Sequence, residues 1–203
     1  MFLFVLSCTP VAQEQSINKA VSEDRFIIDT TMGEIEIELY KEDAPITTDN
    51  FLRYVDEGFY DGSDGLGATV FHRVISDFMI QGGGYTTEFL AGGEEEGAQG
   101  YIEKQTHPPI VNEALLSGLS NLRGTLSMAR VDSPDSATAQ FFINVVDNVY
   151  LDPGEMTEAG YAVFGLVTSG MNVVDAISNV SVDSVDAPYT DVVVESIEKI
   201  AQE

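Results

Sequence analysis

Residues 124–148 read GTLSMARVDSPDSATAQFFINVVDN, and how this stretch is read decides the fold. Its two ends, 124–129 and 140–145, are short apolar runs of strand length, rich in β-branched and aromatic side chains. Between them the Asp, Ser and Pro residues form a polar break that neither run can cross. Upstream, residues 71–83 read FHRVISDFMIQGG and supply parts of two more such pieces, at 69–75 and 79–82, with a single Arg in an apolar setting. Four short strands are therefore expected from these two stretches alone.

Working outward, Phe26-Ile27-Ile28 precedes a turn around Thr31-Met32-Gly33, after which Ile35, Ile37 and Leu39 alternate with Glu34, Glu36 and Glu38. That pattern predicts a hairpin with one buried side, because successive strand residues point to opposite faces. After Pro45, the Thr47-Thr48-Asp49 cluster offers N-caps for a helix whose Phe51, Leu52, Val55 and Phe59 share a face, and Gly58 or Gly62 can end it. A second helix is expected over 171–178 with Val173, Val174 and Ile177 inward, flanked by strands at 161–167 and 191–200. The segment 82–109, with Gly92-Gly93 and Glu94-Glu95-Glu96, reads as loops with little regular structure; its glutamates lack calcium-loop spacing and are read as a solvated run. Many short strands with two helices predict a mainly β fold, a closed barrel capped by helices. No internal repeat or second domain is visible.

The 203 residues, 44% hydrophobic, are enough for one domain with a real core. Thirty-four acidic against nine basic residues give a formal charge of -25, which disfavours nucleic-acid binding and suits a high-salt environment. The one cysteine, Cys8, excludes an intrachain disulfide and a multi-thiolate zinc site. Two scattered histidines, His72 and His107, make no metal motif; His72 is expected to pack neutral on the strand face opposite Arg73. At the N-terminus, Met1 to Leu6 is apolar but far too short to span a bilayer, and it lacks a basic leader. Val5-Leu6-Ser7-Cys8 resembles a bacterial lipobox, which would lipidate Cys8 and place the protein in the cell envelope; a cytoplasmic location is the alternative. Residues 9–24, rich in Gln, Ser, Asn and Glu, read as a flexible tether, and 25–203 as the folded domain.

Taken together, FHRVISDFMIQGG, the 124–148 stretch, GEIEIELY from Gly33 and YAVFGLVTSGMNVVDAI from Tyr161 resemble the cyclophilin family of peptidyl-prolyl cis-trans isomerases in its bacterial form, over roughly residues 25–200. The resemblance implies an eight-stranded antiparallel β-barrel capped by two α-helices, with a peptide groove on its outer face. It implies an isomerase that assists folding, acts on proline-containing peptides and unfolded chains, works as a monomer, and needs no cofactor or metal. Arg73 matches the catalytic arginine, with Gln81 and Phe142 beside it. Phe78, Met79, Phe142 and Leu151 match the apolar walls of a proline pocket. Gln81 and Gln140 match groups that hold the peptide backbone and orient the arginine, and Ala129 matches a groove contact. Three positions depart from the most familiar pattern: Arg130 stands for an Asn, Tyr150 for a Trp that offers an indole N–H to the cyclic peptide cyclosporin, and Tyr161 for a His. The alternative within the same resemblance is a catalytically idle cyclophilin-like domain that binds proline-containing segments as a scaffold or holdase; read without it, Arg73 would be a surface residue and Phe78, Met79 and Phe142 core.

Overall fold

The computed structural model describes residues 24–86 and 101–201. The lipobox with Cys8, all but the last residue of the tether, and the Glu94-Glu95-Glu96 run lie outside them. The expected hairpin is β1 (Arg25–Thr30) and β2 (Gly33–Leu39), paired in register from Arg25↔Glu38 to Thr30↔Gly33. Ile35 and Ile37 are fully buried while Glu34 is exposed and Glu36 and Glu38 are half-buried, so the alternation in sequence is an alternation of faces. Thr30 fixes the turn: its hydroxyl donates to the Gly33 carbonyl at 2.8 Å and accepts the Met32 N–H at 3.1 Å. Gly33, at φ +123°, has a backbone that side-chain-bearing residues rarely adopt.

The remaining long-sheet strands are β3 (Arg73–Ile75), β4 (Met79–Gly82), β7 (Thr125–Met128), β8 (Phe141–Asn144), β9 (Val163–Ser169) and β10 (Val194–Lys199). With β1 and β2 they form one curled sheet in the order β10-β1-β2-β9-β7-β8-β4-β3, antiparallel throughout. Its two edges meet only at a Val70↔Val193 bridge, flanked by Phe71 N–H to Val192 O and Val194 N–H to Thr69 O, both 2.9 Å. Full closure was therefore an overstatement: β3 does not pair with β10, because the Val74 N–H donates instead to the Asp186 carbonyl at 2.8 Å. The 183–187 turn occupies that stretch of edge.

Among the described residues, three α-helices accompany the sheet. The first, α1 (Pro45–Asp56), starts ahead of the Thr-rich cluster: Pro45 opens it, and its unaided N-cap is Ala44, three residues before the Thr47 that the cluster offered. Thr47 and Thr48 lie buried inside its first turn. The cap comes from far along the chain: the Glu113 carboxylate, 3% exposed, accepts N–H bonds from Ile46 (3.1 Å) and Thr47 (2.7 Å) and the Thr47 hydroxyl at 2.6 Å. A carboxylate there satisfies orphan N–H groups and meets the positive end of the helix dipole. Phe51 inserts among Tyr60, Phe141 and Phe164 at centroid distances of 5.2–5.5 Å, which fixes α1 to the sheet. Leu52 and Val55 are only partly buried, and Tyr54 takes the fully buried place on that side. A short α2 (Ala114–Ser117) follows Glu113 and was not expected, four residues being too few for a periodic signal. The second expected helix is α3 (Met171–Ser178), with Val174 and Ile177 buried and Val173 partly so.

The segment read as loops is not wholly irregular. β5 (Tyr85–Thr86) pairs with β6 (Ile102–Glu103), and the next residue, Lys104, is drawn inside to 5% exposure. Its ammonium donates to the carbonyls of Phe59 (2.6 Å) and Gly67 (2.7 Å), lies 2.9 Å from the Asp64 carboxylate and sits over the Phe59 ring. All of its charge is thus met.

Candidate active site

Strand alternation divides β4 and β8 between two environments. Ile80, Phe141 and Ile143 belong to the barrel core, whereas Met79 and Phe142 join Leu151 in a separate buried apolar cluster on the sheet's outer face. Register then lines up a row across three strands: Arg73 opposite Gln81, and Gln81 opposite Phe142. Directly opposed residues on one face stand side by side, so one guanidinium, one amide and one aromatic ring share a surface. A parallel row places Ile75 opposite Met79.

Arg73, Met79, Gln81 and Phe142 line a cavity of about 420 Å³, together with Phe78, Ala129, Arg130, Tyr150, Leu151, Met156 and Tyr161. Ten of the eleven sequence-predicted groove residues are on its wall. The eleventh, Gln140, acts from behind: the Gln81 side-chain N–H donates to its Oε1 at 2.9 Å, which fixes the Gln81 amide. The floor is dry, with Met79, Leu151 and Phe142 exposed by 2%, 3% and 4%. Tyr150 stacks on Phe78 at 6.0 Å between centroids, and Tyr161 meets Phe142 edge-on at 5.8 Å.

Arg73 stays accessible, its side chain 41% exposed, with Nε 3.8 Å from the Asp186 carboxylate. Asp186 holds a positive φ of +67° in a turn locked by Asp183, whose carboxylate accepts the N–H groups of Val185 and Ala187. Arg130 is engaged differently. Its guanidinium donates to Gly160 O, Val131 O and Thr157 Oγ1, each at 2.9 Å, and lies 4.5 Å over the Tyr161 ring. Two of the three departures from the familiar pattern, Arg130 and Tyr161, are therefore one packed unit. His72 does not reach the cavity; it packs edge-on to Tyr85, and burial, with the Arg73 charge adding to it, pushes its imidazole down to about 4, so it is neutral at pH 7.

Behind the wall runs a buried ladder of amides. Asn148 donates to Phe78 O (2.8 Å) and Asn144 Oδ1 (2.7 Å), Asn144 donates to Thr125 Oγ1 (2.9 Å), and Ser127 donates to Asn121 Oδ1 (2.7 Å). Asn121 in turn donates to Asp152 at the end of the 3-10 turn Val149–Leu151. Satisfied buried networks of this kind fix geometry, here the backbone carrying Phe78 and Leu151. Sequence reading missed this ladder and Met156, which stands in an acidic, glycine-turned loop with no periodicity to mark it. No cluster of His, Cys, Asp and Glu suited to a metal ion occurs among the described residues.

The profile described as "Cyclophilin type peptidyl-prolyl cis-trans isomerase/CLD" matches residues 25–199. A peptidyl-prolyl cis-trans isomerase of Acinetobacter baylyi is 54% identical over 151 residues, covering 74% of this chain and 70% of that protein. Isomerase A of Dickeya dadantii is 46% identical over 173 residues (85% and 80% covered), and isomerase B of Escherichia coli 47% over 174 residues (83% and 94%). Among solved structures, a cyclophilin-type isomerase of Cryptosporidium parvum determined in the presence of the dipeptide Ala-Pro covers 88% of this chain and 99% of its own, at 26% identity and a TM-score of 0.64. The profile spans the whole curled sheet and the groove built on its outer face, and on that ground the chain belongs to the cyclophilin-type peptidyl-prolyl cis-trans isomerases, in their bacterial form.

Proposed function

We propose that the Arg73–Gln81–Phe142 face is where this isomerase turns Xaa-Pro bonds during protein folding, with the apolar cluster of Met79, Phe142, Leu151 and Phe78 gripping the proline ring. Rotation about a peptide bond must break amide resonance across about 18–20 kcal/mol, yet the two prolyl isomers differ by only about 0.5–1 kcal/mol, so both are present to be interconverted. No bond is made or cut. At the twisted geometry the prolyl nitrogen becomes pyramidal and its lone pair localises, so a fixed donor aimed at that nitrogen or at the neighbouring carbonyl stabilises the twist above the planar ground state. A guanidinium suits this role, having several rigid donors and remaining charged at neutral pH. Asp186 faces the Nε edge of Arg73, which leaves the terminal nitrogens for substrate. Gln81, steadied by Gln140, is suited to holding the peptide backbone, with Ala129 and Arg130 bordering the groove beside it.

The observation that carries the reading is the cross-strand row, which sets the accessible Arg73 guanidinium beside the buried apolar cluster of Met79, Phe142 and Leu151. Exchange spectroscopy on an Ala-Pro peptide tests it. Catalytic amounts of protein should produce cis–trans exchange peaks, and peptide titration should shift the amides of Gln81, Phe142 and Leu151. Exchange without shifts on that face, or binding elsewhere, would overturn the assignment.

The groove is complete within one chain, which supports action as a monomer; sedimentation equilibrium checks this. The Val5-Leu6-Ser7-Cys8 run supports lipidation at Cys8 and tethering of the domain in a bacterial envelope. Membrane partition abolished by Cys8→Ser is the expected result, and an unmodified mass in a soluble fraction would refute it.

A further inference from the structure

The chain between Leu151 and Tyr161 leaves the groove wall and returns to it, the Tyr161 N–H donating to Leu151 O at 3.0 Å. Polar and backbone hydrogen bonds shape this lip. Gly154 N–H bonds Thr157 O (2.9 Å), Met156 N–H bonds Tyr150 O (3.0 Å), and Gly160 N–H bonds Thr157 Oγ1 (3.0 Å). From below, Arg130 grips Gly160 O and Thr157 Oγ1, and the Asn112 amide donates to Ala159 O (3.2 Å) and Gly160 O (3.1 Å). Gly160, at φ +61°, lets the return strand pass Pro153 so closely that a Cβ would sit 2.5 Å from its nitrogen. The lip's course is thus fixed by hydrogen bonds and by the close pass of Gly160 over Pro153, not by Met156.

Yet its Met156 side chain is 57% exposed and lines the cavity beside Tyr150, itself 43% exposed. An apolar side chain left more exposed than covered, carried by a hydrogen-bonded loop and lining a groove, is placed for something that arrives there. We infer that Met156 and Tyr150 form an outer subsite that takes a large apolar side chain next to the substrate's proline, making Met156 a specificity-determining residue. The thioether is flexible and polarisable, so the subsite accepts aliphatic and aromatic residues alike instead of one shape. Substrates favoured by this isomerase are thus proline segments with an apolar neighbour, the kind exposed by chains not yet folded. The inference rests on reading the groove as the peptide site.

The test compares kcat/KM for two peptide pairs, with Phe or Ala placed before the proline in one pair and after it in the other, in wild type, Met156→Ala, Met156→Gln and Met156→Leu. In one pair wild type should favour Phe, and Met156→Ala and Met156→Gln should each lower that preference by about fivefold, through KM more than kcat. Met156→Leu should restore it. Ratios unchanged within about twofold in all three variants, measured while wild type isomerises the peptides, overturn the subsite alone. Absence of isomerisation in wild type overturns the reading of the groove itself.

Discussion

Acid should destabilise this protein through a single imidazole. In the folded state His72 is pushed down to about 4 by burial and, secondarily, by the Arg73 charge; in the unfolded chain it returns to its ordinary value of 6.5. Below 6.5 the unfolded chain therefore binds a proton that the native protein refuses, and stability falls as pH drops from 6.5 until the folded imidazole also protonates near 4. At about 1.4 kcal/mol per pH unit, that interval corresponds to about 3 kcal/mol, fully present at pH 7 and absent below pH 4. Burial and the Arg73 charge together outweigh the Val70 backbone and Gln140 side-chain hydrogen bonds, which favour the charged ring, so the net shift is downward. Urea unfolding of wild type and His72→Gln at intervals from pH 7 to 4 measures this as a difference of slopes, in which the common acidic background cancels. Wild type should lose about 3 kcal/mol more than the variant across the window. Parallel pH curves, or an imidazole that titrates at its ordinary value by NMR, would refute the reasoning.

Lys104→Met should leave the Asp64 carboxylate and two carbonyls without their cation, at a cost of about 3–5 kcal/mol. Calorimetry should register that as a fall in Tm of roughly 6–20 °C for a chain of this size. Stability should rise with NaCl, because the charge of -25 is self-repulsive and salt screens it beyond about 8–10 Å; a flat or falling midpoint would count against this. Tyr150→Trp, which supplies an indole N–H the tyrosine lacks, should bind cyclosporin about 2- to 10-fold more tightly than wild type by titration calorimetry, and equal affinities would show that this position does not set the response.

The sequence was most legible where one face of an element is buried. In β2 the Ile35-Ile37-Leu39 alternation located both the strand and its inner side, and α3 was bounded correctly because Val174 and Ile177 recur at helical spacing. Elements held by long-range polar contacts were not legible. The N-cap of α1 comes from Glu113, which lies 66 residues from Thr47, so only Pro45 marked the helix start locally. β5, β6 and the Lys104 anchor depend on a pairing of two residues with two, too short to leave a period. The incomplete closure of the barrel has the same cause: Asp186 reaches the edge of β3 from a loop whose sequence shows only turn residues. At the site the division repeats. The groove residues on strands were found from two ordered motifs, while Met156 and the Asn121, Asn144 and Asn148 ladder, whose roles exist only once the chain is folded, were missed.

The central claim is that Arg73, projecting beside the apolar pocket, stabilises the twisted prolyl bond, and its most direct test is protease-free isomerisation kinetics of Arg73→Ala against wild type, with the fold of each checked by circular dichroism. Loss of one preorganised charged donor should cost about 2.7–4 kcal/mol of transition-state stabilisation, lowering kcat/KM by about 10² to 10³ while the spectrum and the thermal midpoint stay close to wild type. A folded Arg73→Ala protein that isomerises at the wild-type rate would contradict the account.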